Sequence, residues 1–532
     1  MAKKKTAEKD KGLNLESILF NCRDYLRGSA SLNDKRDLLL TLVFLRFIGE
    51  KFEIAQAKMR QECIENGIDD EAMIATYLSS PQRYQGIAFV PEEARWQKFI
   101  NTEVTKLNNV LDDALEALEN SGETFKGCVE KGLFTRINIA ANDIKKVVDE
   151  VNKISHKAFG EEKDLIGRVY EYFLKSFAVN ATKEDGEFYT PHDIVELIAA
   201  FIEPFDGTLY DPCCGSGGMF VQCAKYVEAK QGNTMQVNVY GQEKDPATYR
   251  LAKMNLAARG ISHHLGSKFA STFTNDMHRG LTFDYIMTNP PFNLKSWYED
   301  KLSDDARWAD YGTPPTGNAN YAWILHILSK LNPQHGIAGF LLANGALGDT
   351  DAQAIRRKLI ENDKVEAIIV LPRELFYTTD ISVTLWILNQ NKRGGEWHGR
   401  QLRRREHEIL FMDLRQWAQN PVKGEQKKKF VLSADQAKQA SEILFRWQSE
   451  GTDGTRYAKP ELYRSVGFDE IAANDFSLVP SRYIEFVDRD LQTDYSAVLT
   501  DTSKTVADLL QRQQENDTTL RNALKVLGYE CE

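Results

Sequence analysis

Asp211-Pro212-Cys213-Cys214-Gly215-Ser216-Gly217-Gly218 stands between a short apolar run, Thr208-Leu209-Tyr210, and a helical pattern over 219–229. Strand, glycine turn, helix is the order in which an α/β sheet presents a ligand. The glycines let the backbone turn tightly and come close to what it binds. A pyrophosphate prefers a bare helix N-terminus, whereas a carboxylate at the strand end suits an ammonium group. Asp211 before G-x-G therefore suits the methionine part of S-adenosylmethionine, which is positively charged. An ordinary tight turn is the alternative for the glycines taken alone.

Outward from this turn, short apolar runs alternate with helical ones. The pattern predicts strands over 208–210, 236–240, 283–288, 337–342, 365–370 and 383–388. Helices are predicted over 219–229, 246–259, 321–331 and 353–362. Such alternation implies an α/β fold, a mostly parallel sheet covered on both faces, with ligands beyond the carboxyl ends of the strands. Upstream, the chain reads as helix after helix: Leu15, Ile18, Leu19, Cys22 and Leu26 share one face, and a long apolar segment runs from 38 to 52. A further amphipathic helix is predicted over 165–177. The last hundred residues return to helices, and Val506, Leu509, Leu510, Leu520, Leu524 and Leu527 lie near heptad spacing. The organisation expected is a helical domain over 1–160, an α/β domain over 161–430 and a helical, partner-docking region over 431–532.

Composition sets the class. The 532 residues carry 67 basic and 77 acidic side chains, a net charge of −10, and 42% are hydrophobic. That excludes a disordered chain. The richest apolar stretch, 38–48, is broken by Arg46 and too short to span a membrane, and the polar start carries no secretory signal. Seven scattered cysteines with no C-x-x-C pair predict neither a disulfide framework nor a zinc site, so a reduced, soluble, cytoplasmic protein is expected. An acidic chain that held DNA unaided would be unusual. The stretch 391–430 nevertheless holds eleven basic and five acidic residues, with runs at Arg403-Arg404-Arg405 and Lys427-Lys428-Lys429. It reads either as a solvated hairpin and loop or as a phosphate-facing surface.

Two further motifs carry chemistry. Gly241-Gln242-Glu243 ends the second predicted strand, where a carboxylate can accept hydrogen bonds from both ribose hydroxyls. Alone, Glu243 reads as a capping or surface acid; its pairing with Asp211 favours a nucleoside. Thr288-Asn289-Pro290-Pro291-Phe292 follows the strand ending at Met287. A rigid turn is its plain reading, since two prolines lock the backbone. Its chemical reading concerns an aromatic amine, a poor nucleophile because the nitrogen lone pair is conjugated into the ring. If Asn289 Oδ1 and the Pro290 carbonyl accept the two N–H bonds, the nitrogen can become tetrahedral and aim its lone pair at a sulfonium methyl. Phe292 would stack on the base once it is rotated out of the duplex. Cys213 and Cys214 read as small packed residues, not as nucleophiles.

With these motifs in this order, the chain resembles the methyltransferase (modification) subunit of type I restriction-modification systems. The likeness also covers Gly186-Glu187-Phe188-Tyr189-Thr190-Pro191, Gly317-Asn318-Ala319-Asn320-Tyr321-Ala322-Trp323, Phe376-Tyr377-Thr378-Thr379 and Leu478-Val479-Pro480-Ser481-Arg482-Tyr483-Ile484. It implies a Rossmann-like S-adenosylmethionine-dependent methyltransferase core and adenine-N6 methylation of double-stranded DNA. By the same resemblance, Glu187, Phe188, Tyr189, Thr190, Pro191 and His192 embrace the cofactor. Asp211, Gly215, Ser216 and Gly217 hold its methionine moiety and Glu243 its ribose, while Asn289, Pro290, Pro291 and Phe292 form the catalytic turn. An aspartate that often contacts the cofactor adenine is replaced by Ser271, with Asp276 as the alternative. The implied partners are a specificity subunit that reads the DNA, a second copy of this chain and a restriction subunit. Methylation of a protein glutamine amide and a non-catalytic assembly role are the competing readings.

Overall fold

The computed structural model describes residues 15–84, 88–122, 124–154, 190–231, 237–376, 382–419, 430–449, 456–487 and 495–526. The helix expected over 165–177, residues Glu187, Phe188 and Tyr189, and the run Lys427-Lys428-Lys429 lie outside them.

The N-terminal region is helical, and its longest helix, Leu32–Glu65, explains the apolar stretch. Ser31 caps it by accepting the Asp34 N–H at 3.1 Å. Leu38, Leu39, Leu42, Val43, Phe44, Leu45, Phe47, Ile48 and Phe52 are all buried, so this segment is apolar nearly all round because it runs through a protein core. No helix among the described residues is long and apolar enough to cross a membrane. The same core takes in Leu251, Met254, Ala257 and Ala258, from and just beyond the helix Pro246–Ala257. Arg250 pairs with Glu130 at 2.9 Å across that junction. The helical region is thus seated on the helix that follows Glu243.

The sheet has ten strands: β1 (Gly207–Asp211), β2 (Val237–Gly241), β3 (His263–His264), β4 (Tyr285–Thr288), β5 (Ile337–Ala343), β6 (Val365–Val370), β7 (Val383–Asn389), β10 (Glu408–Asp413), β11 (Ala458–Lys459) and β12 (Tyr463–Gly467). A short hairpin, β8 (Gly395–Trp397) with β9 (Arg400–Leu402), stands apart. The order across the sheet is β11-β12-β10-β6-β7-β5-β4-β1-β2-β3. β3, β2, β1, β4 and β5 are parallel, and β7 inserts antiparallel between β5 and β6. Alternate residues feed two cores. In β5, Ile337, Leu341 and Ala343 pack on one side, and Ala338, Phe340 and Leu342 on the other. Helices His192–Ile202, Gly218–Gln231 and Ala434–Gln448 cover the first face, and Asn320–Lys330 with Gln353–Glu361 the second. Burial on both faces is why these strands read as unbroken apolar runs.

Two expectations are corrected. The stretch after 430, expected to be helical, supplies β11 and β12 to the sheet as well as the helix Ala434–Gln448, which packs against His192–Ile202. β12 holds only one buried apolar residue, Val466, and its buried Ser465 instead accepts the Trp447 indole N–H at 2.8 Å, so hydrophobic alternation could not reveal it. In the arginine run, Arg403 and Arg405 are held in internal pairs and Arg404 stays largely exposed. Arg403 makes a two-pronged bond to Glu408, at 3.0 and 2.8 Å, and Arg404 pairs with Glu406. Arg405 is wholly buried and bonds Glu366 at 2.8 Å. Lys392, from the same basic stretch, is also buried and donates to the carbonyls of Val365 and Glu408.

Breaking a buried pair strands the surviving charge, which costs about 3–5 kcal/mol. Glu366→Ala is therefore expected to lower unfolding free energy by roughly that amount, read as a shifted denaturant midpoint. Glu366→Leu combined with Arg405→Met should recover most of it. A single variant as stable as the parent would contradict the structural role.

Among the described α-helices, Tyr495–Val526 stands apart, with none of its described residues buried. Leu499, Val506, Leu509, Leu510 and Leu520 are 49–72% exposed along it.

Candidate active site

The loops that leave the carboxyl ends of β1, β2 and β4 meet at one place. The loop after β1 is stapled to the loop after β2 by two backbone bonds, Cys214 N–H to Gln242 C=O at 2.9 Å and Gln242 N–H to Asp211 C=O at 3.0 Å. Gly215 and Gly217 sit at φ +53° and +73°, conformations that a side chain makes costly. A Cβ at 215 would project into open space, where a ligand can lie against the bare backbone. Asn255 holds the turn from below, donating to the Ser216 carbonyl at 2.9 Å.

Asp211 is 2% exposed. Its Oδ1 accepts the Thr288 hydroxyl at 2.6 Å and the Cys213 N–H at 3.1 Å. No basic side chain pairs with it among the described residues. Burial pushes the carboxyl up to about 7, against the pull of those two bonds. A buried carboxyl with no basic partner among the described residues suits a cationic group. Glu243 is built alike: burial raises it, while N–H groups of Lys244, Asp245 and Gly215 at 2.7, 2.8 and 3.0 Å oppose the rise. Burial also pushes the Cys213 and Cys214 thiols far above their ordinary range, so neither offers a thiolate.

Gln242, between glycine and glutamate in the motif, has a role that spacing could not show. It is wholly buried and ties down the loop after β3, donating to the carbonyls of Ala270 and Asn275 and accepting the Met277 N–H. Ala270 N–H in turn bonds the Glu243 carbonyl at 2.8 Å, which ties the loop carrying Ser271 to the end of this motif. Asp276 is engaged elsewhere, with Lys330 at 2.6 Å and the His278 N–H at 2.9 Å.

The proline turn follows β4. Asn289 donates from Nδ2 to the Thr190 hydroxyl at 2.9 Å, and its Oδ1 is buried with no hydrogen-bond partner. The Pro290 carbonyl accepts none either among the described residues. Phe292, 8% exposed, meets Phe376 edge to face at 6.2 Å. Asn293, at φ +54°, is clamped by the G-N-A-N motif: its Oδ1 accepts from Asn318 and Asn320 at 3.2 and 2.9 Å, and its N–H donates to Asn320 Oδ1 at 3.1 Å.

The structure thus gathers Asp211, Gly215, Glu243, Asn289 and Thr190 into connected contacts. Thr190, expected among the cofactor contacts, bonds the catalytic turn. Pro191 starts the helix His192–Ile202, and the His192 ring lies mostly in solvent, 3.8 Å from Glu196. Thr288 enters the sequence reading only as the first residue of the proline motif, without a role, and Asn293 does not enter it; nothing in spacing marks their contacts.

The N-6 DNA methylase family model matches residues 161–490, and the HsdM N-terminal domain model matches 15–151. The chain belongs to the N-6 DNA methylase family. Within it, the chain is 35% identical over 470 residues to the methylase subunit of the type I restriction enzyme HindI of Haemophilus influenzae, spanning 83% of this chain and 100% of that one. It is 30% identical over 531 residues to the MjaIX methylase subunit of Methanocaldococcus jannaschii, covering 97% and 91%. The crystal structure of a type I methyltransferase subunit from Streptococcus thermophilus shares the fold at TM-score 0.68 and 23% identity, covering 88% of this chain and 99% of that one.

Proposed function

We propose that this chain is the modification subunit of a type I restriction-modification complex, which transfers a methyl group from S-adenosylmethionine to the N6 amine of adenine in DNA. The observation that carries this reading is the Asn289 amide, whose nitrogen is held by Thr190 and whose oxygen is buried and unsatisfied. A buried acceptor left unpaired is costly, and a substrate amine satisfies it.

The cofactor reading rests on the chain's own groups. Asp211 would hold the ammonium, the bare backbone at Gly215 to Gly217 would lie along the methionine moiety, and Glu243 would take the ribose hydroxyls. Ser271 follows Ala270, which bonds the Glu243 backbone, while Asp276 is paired with Lys330, so Ser271 is favoured for the adenine edge. Bound there, S-adenosylmethionine supplies an electrophilic sulfonium methyl. Asn289 Oδ1 and the Pro290 carbonyl accept the two N–H bonds of the base, drawing its lone pair out of conjugation, and Phe292 supports the ring. Burial of the site keeps water from competing for these oxygens.

Partners belong to the same proposal. Direct readout needs side chains in the major groove, and Arg403 and Arg405, within the basic stretch that could have served, are spent on internal ion pairs. Site choice therefore falls to a specificity subunit. The exposed apolar stripe of Tyr495–Val526 would dock there, with a second copy of this chain and a restriction subunit completing the complex.

Transfer of labelled methyl from S-adenosylmethionine by the chain co-purified with its specificity subunit tests the reading. Label recovered as N6-methyladenine in duplex DNA supports it; label only in protein acceptors refutes it. Thr190→Val should reduce kcat about tenfold with cofactor affinity unchanged, because one hydrogen bond to the amide is lost, and Thr190→Ser should restore it. Cofactor affinity lost in the valine variant would return Thr190 to the cofactor instead.

A further inference from the structure

We propose that Thr288 is a positioning residue that holds the Asp211 carboxylate for the cofactor's ammonium group and fastens it to the strand that carries the base-binding turn. The inference rests on the cofactor reading of Asp211 given above. Thr288 is the last residue of β4, wholly buried, and immediately precedes Asn289. Its hydroxyl lies 2.6 Å from Asp211 Oδ1 and 3.1 Å from Cys213 Sγ.

A hydroxyl has one proton to give. An ionised carboxylate has none, so the Thr288 proton points at Asp211 and the threonine oxygen is left to accept from the Cys213 thiol. Burial keeps that thiol protonated. The result is a chain of donors, thiol to hydroxyl to carboxylate, running toward the negative charge. Each donor polarises the next.

The groups around Asp211 make this bond matter. Tyr210 precedes it on β1, and the Cys213 and Cys214 thiols lie on the glycine turn. Glu243 lies beyond β2, and Asp276, on the loop after β3, acts on Tyr210. All are neutral or acidic. Among the described residues, the ionised form of Asp211 is favoured first by the Thr288 hydroxyl, then by the Cys213 peptide N–H and the Cys213 thiol. Removing the hydroxyl leaves a carboxyl that holds its proton to higher pH, and a protonated carboxyl does not attract a cation.

The test is S-adenosylmethionine binding by the full chain as a function of pH. In the parent, affinity should fall as pH drops through about 7. Thr288→Val, which keeps the shape, should move this acid limb up by about one pH unit, since a hydrogen bond to a charged group has that magnitude, and so weaken binding about fivefold at pH 7 and about tenfold at pH 6. At pH 9 the valine variant and the parent should converge. Thr288→Ala should shift likewise, and Thr288→Ser should follow the parent. A merely structural threonine would lower affinity equally at every pH, and an acid limb unmoved in both the valine and alanine variants would overturn the proposal. A parent that bound no cofactor at any pH would instead overturn the reading of Asp211.

Discussion

Asn289→Ala is expected to lower methyl transfer to DNA by about 10²–10³-fold, the size found when one preorganised transition-state partner is removed. Cofactor affinity should be nearly unchanged, because Asn289 touches Thr190 and would face the base, while the acids that would hold the cofactor lie on β1 and after β2. The effect should fall on kcat. The amide oxygen matters most as the amine rehybridises and its N–H bonds grow more acidic, so the interaction strengthens on the way to the transition state. Asn289→Asp is the sharper probe: it keeps an acceptor but places a charge in a buried site, and partial activity that depends on pH is the expected outcome. Near-normal turnover in the alanine variant, measured with saturating cofactor and the specificity subunit present, would contradict the assignment.

Asp211→Asn should have an equally large effect on a different quantity. The amide still accepts from Thr288 and Cys213 but offers no charge to an ammonium group, and S-adenosylmethionine affinity at pH 8 should fall by 100-fold or more, about 3 kcal/mol. Stability should move the other way. In the unfolded chain this carboxyl titrates near 3.8, and in the folded one near 7. Ionised Asp211 therefore subtracts stability increasingly from pH 4 to 7, and by a constant amount above. Removing the charge should raise unfolding free energy at pH 8 by up to about 4 kcal/mol, and by little at pH 4. Calorimetric scans at the two pH values check the sign. A variant that binds cofactor normally, or is destabilised at pH 8, would show that Asp211 is not the dry, uncompensated charge described here.

The parts of the fold that could be read from sequence are those where one physical rule acts alone. Strands β1, β2, β4, β5, β6 and β7 are covered on both faces, so their apolar runs stand out, and each was expected within a few residues of its bounds. The glycine turn was legible because positive φ at Gly215 and Gly217 admits few other residues. Arg405 was misread for the opposite reason. Its charge is visible in sequence, but the neutralising Glu366 lies 39 residues away. A signal did exist: a lone glutamate inside the otherwise apolar run Val365-Glu366-Ala367-Ile368-Ile369-Val370 calls for a buried cation. β12 stayed hidden because its buried contacts are polar.

The site divides in the same way. Asp211, Glu243 and Asn289 are exposed as candidates by their place at strand ends. The contacts that tune them are not, because Thr288 reaches Asp211 across 77 positions and Thr190 reaches Asn289 across 99. A hydroxyl in a strand end looks the same in sequence whether it faces a carboxylate or a carbonyl. The G-N-A-N motif was recognisable as a pattern, yet its work, clamping Asn293 so that the proline turn keeps its shape, appears only in three dimensions.

The central claim is that two oxygens of the proline turn accept the hydrogens of an adenine amine. A structure of the chain with its specificity subunit, target duplex and S-adenosylhomocysteine tests it most directly. An extrahelical adenine is expected, its N6 about 2.7–3.2 Å from both Asn289 Oδ1 and the Pro290 carbonyl, with the sulfur in line behind it. An adenine seated elsewhere, or a cytosine in its place, would contradict it.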